Sequence, residues 1–211
     1  WDSSVCTTAA TTGNVECLKY AHIRKCNACK GMALDERHVS ECECGGHYEN
    51  GYPWDIATLH AAIDGNHDDC INYAIMNGCP RDSLTCGKLA GKGNLSCLKY
   101  LVENGCLWDA KTCEYAAANG QSECLKYALT NGCPTNEYIC SAAALNGNID
   151  CLKLAFEFGC YRDENTCKYA ADKGYFECLK YAYEKGCPYY KNLFSYNRAC
   201  QSYIDNVIFK D

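Results

Sequence analysis

Cysteines are the residues of this 211-residue chain whose type and spacing could do chemistry, because 21 of them are present. One group has the spacing of metal ligands: Cys26-x2-Cys29 is followed by Cys42-x-Cys44-x2-His47. Thiolates and an imidazole at such intervals can close a tetrahedral zinc site. These five residues are therefore a candidate zinc site, and a Cys29 to Cys42 disulfide is the competing explanation.

Other chemistry is not indicated. None of the five histidines stands with a cysteine or serine in a nucleophile motif, and the glycines recur at fixed intervals instead of forming a phosphate loop. The net charge of −6 is spread over interleaved acidic and basic residues, and no apolar run approaches the roughly 18 residues of a membrane span. We therefore expect no catalytic residues and no cofactor, and neither nucleic acid nor a membrane as a partner.

The chain is built from repeats with a period of 27 residues. The clearest repeat, residues 108–134, reads WDAKTCEYAAANGQSECLKYALTNGCP. A fixed period in this range predicts a solenoid, so we expect one domain over residues 1–211. Its predicted parts are the repeats 1–27, 28–53 (irregular), 54–80, 81–107, 108–134, 135–161 and 162–188, and a C-terminal cap, 189–211.

Each repeat should hold two short helices. The apolar run 115–118 ends at Gly120, and the run 123–129 ends at Gly132. Glycine can close a helix in the left-handed conformation, and Asp109 is placed to cap the first helix. Helices this short are not stable alone, so each pair must bury its apolar face against neighbouring pairs. The sequence predicts an all-α solenoid.

The repeat also gives the cysteines a second interpretation. Eighteen of the 21 fall on three positions: in the first helix, in the second helix, and after the second glycine. Cysteine is a small, readily buried residue, so these thiols can simply pack the core. Disulfides are the alternative, and the spacing would suit bridges between successive repeats: Cys79 to Cys86, Cys106 to Cys113, Cys133 to Cys140 and Cys160 to Cys167. A bridge such as Cys113 to Cys124 suits the spacing equally well, and spacing does not settle the connectivity.

Four segments carry a family resemblance: AAANG (116–120), GNVECLKYA (13–21), GNLSCLKYL (93–101) and YFECLKYA (175–182). This pattern resembles the ankyrin repeat, in the short cysteine-rich variety of giant viruses, algae and oomycetes. The resemblance implies an ankyrin-like α-solenoid of stacked helix pairs. Because about six residues separate Cys133 from Cys140, we expect abbreviated loops without projecting β-hairpins.

The first helix of each repeat varies in sequence, whereas the second helix repeats CLKY. In ankyrin proteins the first helices line the concave surface, so the resemblance implies that the varied residues contact a partner. They are Lys88, Lys111, Glu114, Tyr115, Tyr138, Ser141, Lys168, Tyr169 and Asp172. Mixed charge with tyrosine suits a protein surface. We therefore predict a non-catalytic protein–protein interaction scaffold in the cytoplasm, that of the host cell if the chain is viral.

The alternative is a structural repeat protein of a virion, a filament or an extracellular coat, stabilised by disulfides. The cysteine density favours it, together with a repeat boundary at Trp1 that leaves the first helix pair without an evident cap. An uncapped solenoid end could stack on another copy, so this hypothesis predicts end-to-end self-association.

Overall fold

The computed structural model describes residues 4–23 and 54–210, and every regular element in these ranges is helical. The chain divides into two compact units, Trp1–Arg81 and Asp82–Asp211, which we call the N-terminal unit and the C-terminal unit. The irregular repeat 28–53 lies outside the described residues.

The helices described in the N-terminal unit are α1 (Ser4–Thr11), α2 (Val15–Ile23), α3 (Ile56–Asp64) and α4 (Asp68–Met76). Those of the C-terminal unit are α5 (Ser83–Lys92), α6 (Leu95–Glu103), α7 (Ala110–Ala118), α8 (Ser122–Thr130), α9 (Ile139–Leu145), α10 (Ile149–Glu157), α11 (Glu164–Lys173), α12 (Phe176–Glu184) and α13 (Arg198–Tyr203), which runs into a π-helical turn, Ile204–Ile208.

Aspartate caps start most of the first helices. The Asp82 side chain accepts the backbone N–H of Thr85 at 2.8 Å, and the Thr85 hydroxyl oxygen accepts the backbone N–H of Asp82 at 3.2 Å, which completes a capping box. The cap predicted at Asp109 is confirmed, because its side chain accepts the N–H of Lys111 at 2.9 Å. The left-handed glycines are confirmed as well, with φ of +72° at Gly120.

Helix α9 departs from this pattern and is seven residues long, against ten for α5. Asn136 and Ile139 stand where the repeat 81–107 has the Asp82 and Thr85 of its capping box. Ile139 has no hydroxyl to complete the box. Oδ1 of Asn136 accepts the backbone N–H of Tyr138 at 3.0 Å, and the Asn136 amide donates to Oε2 of Glu114 at 3.0 Å. The helix therefore begins late.

In the C-terminal unit, first helices pack on first helices and second helices pack on second helices. First helices follow one another from α5 to α7, α9 and α11, and second helices from α6 to α8, α10 and α12; α13 packs on α12. Small residues allow the first helices to approach closely: Ala116 and Ala117 are fully buried. A methyl group at Gly91 of α5 would lie 3.2 Å from Cβ of Tyr115 on α7, so the glycine makes room for the tyrosine.

In the N-terminal unit, α1 packs on α3 and α2 on α4. The hydroxyl oxygens of Thr7 and Thr58 lie 3.2 Å apart. The His22 ring stacks on Trp54 at a centroid distance of 3.8 Å, and its Nδ1 lies 2.9 Å from the hydroxyl oxygen of Tyr73. These pairs pack as neighbouring repeats do, although Thr7 and Thr58 are 51 positions apart in sequence.

The core consists of small and medium side chains from both helices of each repeat. Leu125 and Leu152 are fully buried, as are the first-helix thiols of Cys113 and Cys140. The cysteines thus pack the interior as alanine and leucine do. The expected all-α arrangement of helix pairs with short connections is confirmed, since no strand occurs in residues 4–23 and 54–210.

Candidate protein-binding surface

All nine residues predicted to contact a partner lie in the C-terminal unit, in its first helices or just before one of them. Lys111, Tyr138, Lys168 and Asp172 are exposed. Four others are half-buried: Lys88, Glu114, Tyr115 and Tyr169. We call this set of exposed and half-buried side chains the first-helix face.

Ser141 is not part of this face. Its side chain is 3% exposed, and its hydroxyl donates to the carbonyl oxygen of Tyr138 at 3.1 Å. The late start of α9 places Ser141 in the first turn of the helix, where the hydroxyl satisfies a local carbonyl group. A partner cannot reach this side chain, and we leave it out of the proposed surface.

Around α7 the face is held together by polar contacts. Nζ of Lys111 lies 3.5 Å from Oε2 of Glu114 and 5.7 Å from the ring centre of Tyr115. The same Glu114 oxygen accepts the hydrogen bond from Asn136 of the next repeat. These contacts fix the carboxylate, so Lys111 is the more available charge for a partner.

The face ends in a hollow of about 310 Å³ between α11 and the C-terminal cap. Lys168, Asp172, Tyr190, Asn192, Leu193 and Phe194 line it. Leu193 is buried, whereas Phe194 is 51% exposed and packs edge-on against Tyr196 at a centroid distance of 5.0 Å. The hollow therefore combines exposed aromatic side chains with one ammonium group and one carboxylate.

Sequence reasoning predicted Lys168 and Asp172 but missed the cap residues of the hollow. The cap lacks the repeat pattern, so the period gives no position for Tyr190 or Phe194. The one signal in the sequence was the density of aromatic residues between positions 189 and 196.

The cysteines of the described ranges are not joined in disulfides. Burial raises the pKa of Cys79 and of Cys140 to about 12 and that of Cys124 to about 11, so these thiols stay protonated at neutral pH. No cluster of potential metal ligands occurs in the part of the chain that the structure describes. The candidate zinc site at Cys26, Cys29, Cys42, Cys44 and His47 lies outside it.

The thiol that follows the second helix has a recurring contact with the N-cap residue of its own repeat. The Sγ atom donates to the main-chain carbonyl oxygen of the aspartate 24 positions earlier. The pairs are Cys79 with Asp55 at 3.4 Å, Cys106 with Asp82 at 3.7 Å, Cys133 with Asp109 at 3.3 Å and Cys187 with Asp163 at 3.2 Å. A reduced thiol therefore links the end of each of these repeats to its start.

Comparison with known proteins agrees with this architecture. The family model described as "Ankyrin repeats (3 copies)" matches residues 113–192. The structure is similar to the ankyrin repeat domain of human ASB11, with a TM-score of 0.57 and 18% sequence identity over 87% of this chain and 84% of that one. No curated protein gives a significant match.

The prediction of ankyrin repeats is thus confirmed for residues 113–192, and the fold is that of an ankyrin repeat solenoid. Ankyrin repeats generally mediate protein–protein interactions and are typically non-catalytic. Whether the chain belongs to the short cysteine-rich variety stays a prediction. None of the helices in the described ranges has the length and apolar character needed to cross a bilayer.

Proposed function

We propose that the chain is a non-catalytic scaffold that binds a protein partner on the first-helix face, with the hollow beside Phe194 as the anchor point. The observation that carries this proposal is the convergence of Lys168 and Asp172, from helix α11, with exposed aromatic side chains of the cap. Aromatic residues are enriched in protein interfaces, and polar and charged residues form the rim around the buried centre.

The hollow suits one large apolar or aromatic side chain of a partner. The exposed ring of Phe194 would be covered on binding, which removes apolar surface from water. Lys168 and Asp172 carry opposite charges at the same site, so polar groups beside the inserted side chain would each find a complementary charge. A protein segment offers this combination.

We place this scaffold in a reducing compartment, the cytoplasm. The thiols of Cys133 and Cys187 act as S–H donors to main-chain carbonyl oxygens, and only a reduced thiol has the hydrogen to donate. A disulfide at these positions would remove the contact.

Selection from a random peptide display library tests the proposal, because it works with a partner of any identity. Peptides selected on the wild-type protein are measured against Phe194→Ala and Lys168→Glu, with Lys126→Glu on the exposed side of the second helix α8 as the charge-matched control. We expect Phe194→Ala to weaken binding by about tenfold or more and Lys126→Glu to change it by less than about twofold. Selected peptides that bind all four proteins equally would refute the proposal.

A second candidate function is end-to-end association of copies of this chain. The first helix pair, α1 and α2, carries a depression of about 660 Å³ lined mainly by apolar atoms, including Val5, Ala9 and Cys17. Cys17 is exposed there, whereas Cys151 in the same repeat position is buried, with its Sγ 4.0 Å from the carbonyl oxygen of Ala116 in the preceding repeat. Sedimentation over a hundredfold concentration range decides it: association that Val5→Glu abolishes supports it, and a monomer throughout rejects it.

A further inference from the structure

Thiols of the same repeat, rather than of successive repeats, are brought together in the C-terminal unit. Sγ of Cys86 in α5 lies 3.6 Å from Sγ of Cys106, which follows α6. The Cys113 thiol makes the same contact with Cys133. The bridges drawn from spacing joined Cys106 to Cys113 instead, across the repeat boundary. Helix packing favours pairing within one repeat, because the end of the second helix lies against the first helix of the same repeat.

Exposure separates one pair from the rest. Cys133 is 5% exposed, whereas Cys106 is partly exposed, and Cys86 beside it is fully buried. Cys106 also holds the longest of the four contacts between a thiol and the N-cap carbonyl oxygen, 3.7 Å to Asp82 against 3.3 Å in the pair of Cys133 and Asp109. Cys106 is therefore the thiol of this series that a small reagent can reach without unfolding the repeat.

We propose that Cys86 and Cys106 form a redox-active dithiol, a modification site at which small disulfides of the glutathione class reversibly oxidise the protein. Cys106 attacks one sulfur of oxidised glutathione, which forms a mixed disulfide and releases one glutathione thiolate. Cys86 then attacks the Cys106 sulfur, which closes the Cys86–Cys106 disulfide and releases the second thiolate. The two protons lost by the protein thiols go to the two glutathione molecules, so the protein loses two electrons and the oxidant gains them.

The contacts assign these roles. Cys86 donates its S–H to Sγ of Cys106, so the two sulfur atoms already lie in contact in the reduced protein. That hydrogen bond, together with burial, raises the pKa of Cys86, so Cys86 stays protonated until Cys106 has reacted. The exposed member attacks first and the buried member resolves the mixed disulfide.

Peptide mapping after oxidation tests this directly. The folded protein is treated with oxidised glutathione at neutral pH, quenched by alkylation and digested with trypsin, which puts the two thiols on separate peptides, 82–88 and 100–111, each with one cysteine. We expect a linked peptide pair that forms at least about tenfold faster than any link between Cys113 and Cys133, because local opening limits buried thiols. Dithiothreitol should reverse it.

The variant Cys86→Ser supplies the matched control, since it leaves Cys106 in place but removes the resolving thiol. It should accumulate the glutathione adduct on Cys106. In Cys106→Ser, by contrast, we expect no glutathione adduct on Cys86, which lies in peptide 82–88, and no linked peptide pair. The proposal is overturned if Cys106 does not react in the folded protein, if it links to another cysteine, or if Cys113 and Cys133 react equally fast. None of these results depends on whether the first-helix face binds a partner.

Discussion

The Sγ atom of Cys133 lies 3.3 Å from the carbonyl oxygen of Asp109, the residue that caps helix α7. Cys187 and Asp163 are joined in the same way at 3.2 Å, two repeats further along the chain. In these repeats the end of the second helix is thereby tied back to the start of the first helix. This contact gives cysteine a role at this position that valine or alanine could not fill, because neither has a donor.

Serine should therefore be tolerated at position 133 and not at position 124. Cys133→Ser keeps a donor for Asp109, whereas Cys124 is 1% exposed and its Sγ makes no hydrogen bond within the described ranges. Burying an unsatisfied hydroxyl costs about 1–3 kcal/mol, so Cys124→Ser should lower the free energy of unfolding by that amount and Cys133→Ser by less. Urea denaturation measures both. Equal losses would show that the contact with Asp109 does not stabilise the repeat.

Alanine substitution should separate backbone strain from crowding at two glycines. Gly120 and Gly132 have nearly the same φ, +72° and +75°, and alanine in this conformation costs about 1 kcal/mol. A methyl group at Gly120 would also lie 2.9 Å from Oδ1 of Asn148, whereas none of the described atoms lies within 4 Å at Gly132.

We expect Gly120→Ala to cost about 1 kcal/mol more than Gly132→Ala, because the Asn148 amide is held by the carbonyl oxygens of Ala117 and Ala118 at 2.9 Å each. Thermal unfolding of the two variants side by side checks this difference. A larger loss at Gly132 would argue against the packing of Asn148 over Gly120.

The N-cap of α11 can be tested with two neighbouring acidic residues. Asp163 accepts the N–H of Thr166 at 3.1 Å and its hydroxyl at 3.0 Å. Asp163→Ala should therefore lower the free energy of unfolding by about 1 kcal/mol, and Glu164→Ala, next to it and exposed, by much less. Denaturant titration of both proteins provides the comparison, and similar losses would mean that charge near the helix start matters rather than the cap.

His22 should make the N-terminal unit less stable in acid. Burial against Trp54 and Tyr73 lowers the pKa of His22, so the folded state binds its proton at lower pH than the unfolded state, whose histidine has a pKa of about 6.5. The stabilising contribution is complete above about pH 6.5 and falls as the pH drops below it, because the unfolded state then gains the proton first.

In the variant His22→Leu the histidine is replaced by leucine, the residue at the equivalent position 129 of another repeat. This variant should lack the pH-dependent contribution of His22 to stability. Stability measured from pH 8 to pH 5 by urea denaturation should therefore fall more steeply for the wild type than for the variant. Identical slopes would show that His22 is not held neutral in the folded protein.

Local features were predictable from the sequence, and choices between packing partners were not. Asp109 and Gly120 act through groups a few residues away, so spacing alone placed the helix ends. The partner of Cys86 depends on which side of α5 faces the end of α6. The repeat period of the sequence does not determine this orientation. Ser141 was misplaced on the exposed face because the repeat pattern does not show that its hydroxyl is buried against the carbonyl oxygen of Tyr138. The cap residues Tyr190 and Phe194 lie outside the repeat altogether.

Lysine footprinting of a complex with a selected peptide shows whether the first-helix face is the binding surface. Lys111 and Lys168 lie on first helices, and Lys126 and Lys153 are exposed on second helices, so the chain carries its own reference lysines. We expect acetylation of Lys168, and to a lesser degree of Lys111, to slow in the complex while Lys126 and Lys153 react as before. Protection of Lys126 and Lys153 with no change at Lys168 would contradict it.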